Sequence, residues 1–331
     1  MNPPPVFIVG PPRSGTSLLR QMLNRHPALA SLFFPLLYQD RQRKAFGDLS
    51  NPANRERLVS EYVSLPTTKG LGLDCAKLAD RLRREATSYQ ALYAAVLNFY
   101  AESHGKPRSG EKTPRHALYL DTLREWFPDA PILHIVRDPR DVVTSSHRMF
   151  GAPSAVVTAR TWLSHNLAAR RSSHRSQYLE VRYETLVAQP ELELTRICKF
   201  IGEEYFPSML TPEQRSVEHP GEWDRLQTPL TTGRVGQWRR ELTRQQVAQI
   251  EWVLGPHLET FGYAREAPAA SASAILGGAS FAALVSARRT IRRLPATWYN
   301  LLKPAEIAKY EYWTYRKTWA AIQPAGGIRA R

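Results

Sequence analysis

Val6-Phe7-Ile8-Val9-Gly10-Pro11-Pro12-Arg13-Ser14-Gly15-Thr16-Ser17 is the stretch whose reading decides the fold. Its first four residues are β-branched or aromatic throughout, the composition of a short buried strand, and Gly10-Pro11-Pro12 stops it. From Ser17 to Arg25, the apolar residues Leu18, Leu19, Met22 and Leu23 share one face of a helix. Strand, glycine loop and helix in that order open a βαβ unit. Gly10 to Ser17 has the frame G-x-x-x-x-G-x-S of a nucleotide-binding loop, but Thr16 stands where a triphosphate loop carries lysine. The anion cradle survives without it, because glycine lets backbone N–H groups turn inward and the helix N-terminus adds its dipole. Arg13 brings positive charge inside the loop. Such a loop suits a short anionic group better than a magnesium-bound triphosphate; the bland alternative is a tight turn with no ligand.

Outward from this unit the chain alternates. Residues 40–105 are helical in pattern, with a charged opening from Asp40 to Lys44 and a later apolar face around Leu92, Val96 and Phe99. No strand is read there, so an α-rich insertion over 40–110 is expected. A helix from about Leu118 to Phe127 leads into a second strand, Ile132 to Val136, which ends at Arg137. Asp138-Pro139 has the form of an N-cap followed by proline at the first helical position, opening a helix through Val143 and Ser146. A third strand is expected at Tyr178 to Arg182 and another helix at Pro190 to Ile201. The series predicts an α/β fold of P-loop type, a parallel sheet flanked by helices, with ligands gathering at the C-terminal ends of the strands. One domain over 1–264 is expected. An Ala/Ser/Gly-rich linker, Pro268 to Gly278, then leads into a C-terminal helical tail, so that 265–331 stands apart.

Bulk properties set limits. The 331 residues are 43% hydrophobic and 23% charged, an ordinary globular composition. Cys75 and Cys198 lie too far apart for a disulfide framework or a metal spacing, which fits a reducing compartment. The N-terminus has no basic region and only a brief apolar run, unlike an export signal. No stretch has the length and apolarity of a membrane span; Ala269 to Ala287 comes nearest and is mostly Ala, Ser and Gly. The net charge of +15 implies an anionic partner. Residues 265–331 hold eleven Lys/Arg against three Glu, so the tail's charge and the site's charge have separate explanations.

Arg137 stands at the end of its strand, and Ser145 lies eight residues on, in the following helix. A guanidinium fork and a hydroxyl converging there suit a terminal phosphate. A P-loop kinase would place a magnesium-binding Asp at this strand end. Here Asp138 is followed by Pro139 and reads as a cap. A surface ion pair between Arg137 and Asp141 is the alternative.

Together PPRSGTSLL (11–19) and VRDPRDVVTSS (136–146) resemble the sulfotransferase superfamily, and its bacterial branch above all, which is similar in turn to the tyrosylprotein sulfotransferases. GEKTPRHALYL (110–120), RYETLVAQP (182–190) and GRVGQWRREL (233–242) extend the resemblance over roughly 5–263. It implies a donor, 3′-phosphoadenosine-5′-phosphosulfate, whose sulfuryl group passes to an acceptor hydroxyl or amine by metal-independent in-line displacement. Arg13, Ser14, Gly15, Thr16 and Ser17 would cradle the 5′-phosphosulfate, and Arg137 with Ser145 the 3′-phosphate. Tyr183 would sit near the adenine. Gly233, Gly236 and Trp238 would close over the nucleotide, with Arg234 adding charge where cytosolic members have a basic pair; this chain has Thr231-Thr232 there.

Catalysis of such a displacement is mainly alignment and charge stabilisation. Arg13 and Lys112, the latter within Glu111-Lys112-Thr113-Pro114, are the cations expected to oppose charge on the bridging oxygen. Tyrosylprotein-type members place a glutamate seven or eight residues after the His-Pro that ends the first helix. Here that count from His26-Pro27 reaches Phe33 and Phe34. His116 is taken as the base, imidazole having an ordinary pKa of about 6.5, ahead of Glu111, Asp40 and His104. Phe33 and Phe34 suit an apolar acceptor pocket. The expected acceptor is a small molecule, a glycan or a lipid-linked alcohol, in the cytoplasm. Residues 288–319, which join Arg288, Arg289, Arg292 and Arg293 to Trp298, Tyr299, Tyr310, Tyr312, Trp313, Tyr315 and Trp319, offer either contact with an anionic inner-membrane surface or a helix packed on the domain. The rival readings are a nucleotide-dependent kinase, a nucleotide-binding protein that has lost catalysis, and a basic nucleic-acid-binding protein. The missing lysine argues against the first, and the absence of a recognisable nucleic-acid module against the last.

Overall fold

A computed structural model describes residues 3–33, 46–150, 154–211 and 231–266. Five strands form one sheet: β1 (Val6–Val9), β2 (Leu29–Leu32), β3 (Arg108–Lys112), β4 (Ile132–Val136) and β5 (Tyr178–Arg182). Their order is β2-β3-β1-β4-β5 and every pair is parallel. The α/β fold with a parallel sheet is as the alternation of elements predicts.

Two of the strands correct the sequence reading. Leu-Ala-Ser-Leu at β2 lacks β-branched residues, and Arg-Ser-Gly-Glu-Lys at β3 is polar. Both extend because neighbouring backbones satisfy them, and in β3 the buried Arg108 finds partners. Arg108 donates to the carbonyls of Pro4 and Ile201 and to Glu203. Gly110 lets the strands close: a Cβ there would lie 3.1 Å from both the Val6 carbonyl oxygen and the Ser31 Cβ. The helical insertion therefore ends before Arg108 rather than at 110.

Within it, α2 (Pro52–Ser64), α3 (Cys75–Glu85) and α4 (Tyr89–Ser103) start on side-chain caps from Asn51, Asp74 and Ser88. Their Leu58, Leu82, Leu92, Tyr93 and Val96 pack on Phe7 and Val9, one face of β1. Val6 and Ile8 point to the other face, against Leu19 and Leu23 of α1 (Thr16–Asn24) and Leu194 and Ile197 further along. The helix expected from about Leu118 to Phe127 is α5 (Leu120–Trp126), preceded by a 3-10 turn, Pro114–Tyr119. After β4 come α6 (Pro139–Phe150) and α7 (Ala155–Arg170); after β5 come α8 (Tyr183–Ala188) and α9 (Pro190–Ile201). A third core joins Val142, Val143 and Trp162 to Trp238 and to Ile250 of α10 (Arg244–Leu254). No described helix is long and apolar enough to cross a membrane. The linker and tail expected beyond 266 lie outside the described residues, as do Phe34 and Asp40.

Candidate active site

Parallel pairing brings the C-terminal ends of all five strands to one edge, and each delivers a residue there. Phe33 follows β2, Lys112 ends β3, the glycine loop follows β1, Arg137 follows β4 and Tyr183 follows β5. Lys112 is level with Ile8 and Leu133, and Val136 with Arg182, so Phe33 and Lys112 stand on one flank of that edge while Arg137 and Tyr183 reach about four residues further along the strands.

The loop turns tightly into α1. Ser14 N donates to the Pro11 carbonyl at 3.2 Å, and Arg13 and Gly15 take left-handed conformations, φ 70° and 102°. Gly15 is obligatory on a second count, since a Cβ would lie 2.5 Å from Tyr183 Cδ2. No side chain caps α1 and no acid occupies its first turn, which leaves the N–H groups of the Thr16-Ser17 end for an incoming anion. Ser14 is fully buried, and its hydroxyl has no hydrogen-bond partner among the described residues.

Arg13 and Arg137 join this loop to the second cluster. Arg13 Nε donates to Ser145 Oγ at 3.2 Å. The Arg137 guanidinium donates to the Arg13 carbonyl at 3.2 Å and to the Arg234 carbonyl at 2.6 Å, and lies 4.2 Å from the centre of the Tyr183 ring. Its Nε is buried and has no hydrogen-bond partner among the described residues. The two anion sites expected from the sequence are thus one continuous surface.

Asp138 caps α6 as expected, accepting from Arg140 N at 2.9 Å. Arg137 is buried rather than on the surface. The Asp141 carboxylate is taken up by backbone, accepting from Gly236 N at 2.7 Å and Trp238 N at 3.1 Å. Burial pushes the carboxyls of both Asp141 and Glu184 up. Residues 233–238 lie as a strap beside Arg137, with the Trp238 ring buried and the Arg140 guanidinium 4.0 Å from its centre. No bond of the Arg234 side chain is needed to hold the strap, since its carbonyl makes the contact.

On the other flank Lys112 Nζ sits 4.7 Å from the centre of the Phe33 ring. Next to it a buried carboxylate organises three side chains. His116 Nδ1 donates to Glu111 Oε2 at 2.9 Å, Thr113 Oγ1 donates to Oε1, and the Tyr93 hydroxyl also bonds Glu111. Glu111 and His116 are both fully buried, and His116 Nε2 has no hydrogen-bond partner among the described residues. His104 precedes β3, at the opposite edge of the sheet, and bonds the Tyr100 carbonyl of its own helix. Sequence reading named Glu111 only as a substitute base and did not single out Tyr93; no spacing signals their convergence on His116. Among the described residues no group of three or more His, Cys, Asp or Glu side chains gathers as a metal ligand set would.

The chain is similar to known proteins. A profile of the Sulfotransferase family matches residues 4–207. The nodulation protein NoeE of Sinorhizobium fredii is 25% identical over 326 residues, which covers 89% of this chain and 73% of that protein. Protein-tyrosine sulfotransferase A of Caenorhabditis elegans is 26% identical over 285 residues, covering 78% of this chain and 67% of its own length. The sulfotransferase domain of a Synechococcus olefin synthase superposes with a TM-score of 0.56 at 25% identity, over 80% of this chain and 96% of that domain.

Proposed function

The chain belongs to the sulfotransferase family, and on that premise we propose that its loop and its Arg137 cluster grip the two ends of one 3′-phosphoadenosine-5′-phosphosulfate. The donor brings an activated sulfuryl group, whose departure leaves negative charge on the bridging oxygen. The Ser14 hydroxyl and the backbone N–H groups of Gly15, Thr16 and Ser17 are assigned to the 5′ end, and Arg13 and Lys112 to opposing the developing charge. Arg137, Ser145 and Arg234 hold the 3′-phosphate, Tyr183 backs Arg137 at the nucleoside side, and Gly233, Gly236 and Trp238 cover it. One observation carries this reading: a single buried guanidinium bonds the loop at the Arg13 carbonyl and the strap at the Arg234 carbonyl.

His116 is the base in this scheme. Glu111 accepts the Nδ1 proton, which selects the tautomer whose Nε2 lone pair is free to take a proton. Phe33 beside Lys112 makes the acceptor side apolar and favours a hydrophobic or lipid-linked alcohol over a glycan. The same reading has the enzyme act in the cytoplasm.

Calorimetric titration tests the assignment. Adenosine 3′,5′-bisphosphate is expected to bind without added metal, and ATP with Mg²⁺ at least tenfold more weakly. Preferential binding of magnesium ATP would favour the kinase and sink the proposal.

A further inference from the structure

Asp141 has no part in the donor contacts assigned above, yet its carboxylate is committed on both oxygens. It is almost fully buried, and each oxygen accepts a backbone N–H of the strap, from Gly236 at 2.7 Å and Trp238 at 3.1 Å. Asp141 and Ser145 are one turn apart on α6, so they share a face of that helix. Arg137, four residues upstream, holds the same strap by the Arg234 carbonyl. The strap is therefore fastened at both ends of a five-residue stretch, one fastening cationic and one anionic. Gly236 between them sits at φ 72°, a conformation that only glycine adopts without strain.

We propose that Asp141 is a positioning residue for the donor: it clamps residues 236–238 so that the strap completes the 3′-phosphate site. The proposal rests on the reading of Arg137 and Ser145 as that site. It makes a prediction of unusual sign. A carboxylate close to an anion pocket repels the anion, so its removal should tighten binding if charge alone mattered. The clamp predicts the reverse, because an amide offers one acceptor oxygen and turns an N–H toward a backbone N–H.

The test compares Asp141→Asn with the wild-type chain by calorimetry, using adenosine 3′,5′-bisphosphate and adenosine 5′-phosphate as probes. In the wild type the bisphosphate should bind more tightly than the monophosphate. In D141N that preference should shrink about tenfold, the loss of one hydrogen bond to a charged group, while monophosphate affinity holds within about twofold. A general weakening of the fold would lower both affinities together and leave their ratio intact, which would overturn the clamp. An unchanged or larger preference would overturn it too. Absence of any preference in the wild type would instead remove the underlying site assignment. Should D141N not fold, hydrogen exchange on the wild type decides. The Gly236 and Trp238 amides must then be protected before nucleotide is added, and rapid exchange at both refutes the clamp.

Discussion

Arg13 is the residue on which loop and second cluster meet, through its side chain to Ser145 and its carbonyl to Arg137. It holds a left-handed φ of 70° without being glycine, a strained choice that the surrounding contacts sustain. The motif made Arg13 legible, because an arginine in a lysine-less phosphate loop has few other uses. Its conformation was not legible, since φ is set by what the loop packs against. Replacing Arg13 or Lys112 by alanine should lower kcat by about 10²–10³ at saturating donor and acceptor, as for loss of one donor to a developing oxyanion. A fall of less than about tenfold in steady-state assays would exclude either residue from charge stabilisation. His116→Ala should fall as far, and Glu111→Gln part of the way, since Gln can still accept from Nδ1. Near-normal turnover of H116A with saturating donor would leave His116 a buried core residue. Its dyad shows why a sequence conceals such partners: Glu111 ends a strand, His116 lies in a 3-10 turn and Tyr93 in a distant helix.

Among the elements, β3 carries the most consequence for the least sequence signal. Strands β1, β4 and β5 announce themselves by apolar runs or by β-branched residues. β3 has neither, yet it lies between β2 and β1 and delivers Lys112 to the site. Its extended form is decided by the two backbones it pairs with, which are remote in sequence and thus invisible to local pattern. Gly110→Val tests this placement. The new side chain would press on the Val6 carbonyl and on Ser31, so a loss of about 1–3 kcal/mol is expected from urea unfolding. Activity should fall by more than the unfolded fraction, because Lys112 shifts with the strand. Unaltered stability would mean that the strands are not packed so closely.

Over the whole molecule, stability should depend on acid through two buried histidines, His134 and His165. His134 lies between the Tyr178 hydroxyl and Asn166 Oδ1 (2.5 and 2.9 Å), and burial lowers its pKa from 6.5 to about 4. His165 is lowered to about 3, again by burial first and by Arg115 second. The unfolded chain takes up these protons near pH 6.5 and the folded chain does not, so stability is complete above that pH and declines as pH falls toward 4. Each histidine contributes up to about 1.4 kcal/mol per pH unit. Urea midpoints should therefore drop between pH 7 and 5, and His134→Gln should flatten the drop; parallel curves would refute the assignment to this residue. The comparison isolates the imidazole from Asp141 and Glu184, whose raised values act in the opposite direction. By itself the sequence determined the strand–loop–helix unit, the alternation that makes a parallel sheet, and the positions of Arg13 and Arg137 in the loop and at the end of β4. These are local facts, carried by periodicity and by glycines and charges at fixed spacing. Only the tertiary structure decided that β3 is a strand, that Arg137 joins both clusters, and that Glu111 and Asp141 serve His116 and the strap. Each of those depends on which distant backbone comes within hydrogen-bonding distance, and local sequence does not encode that distance.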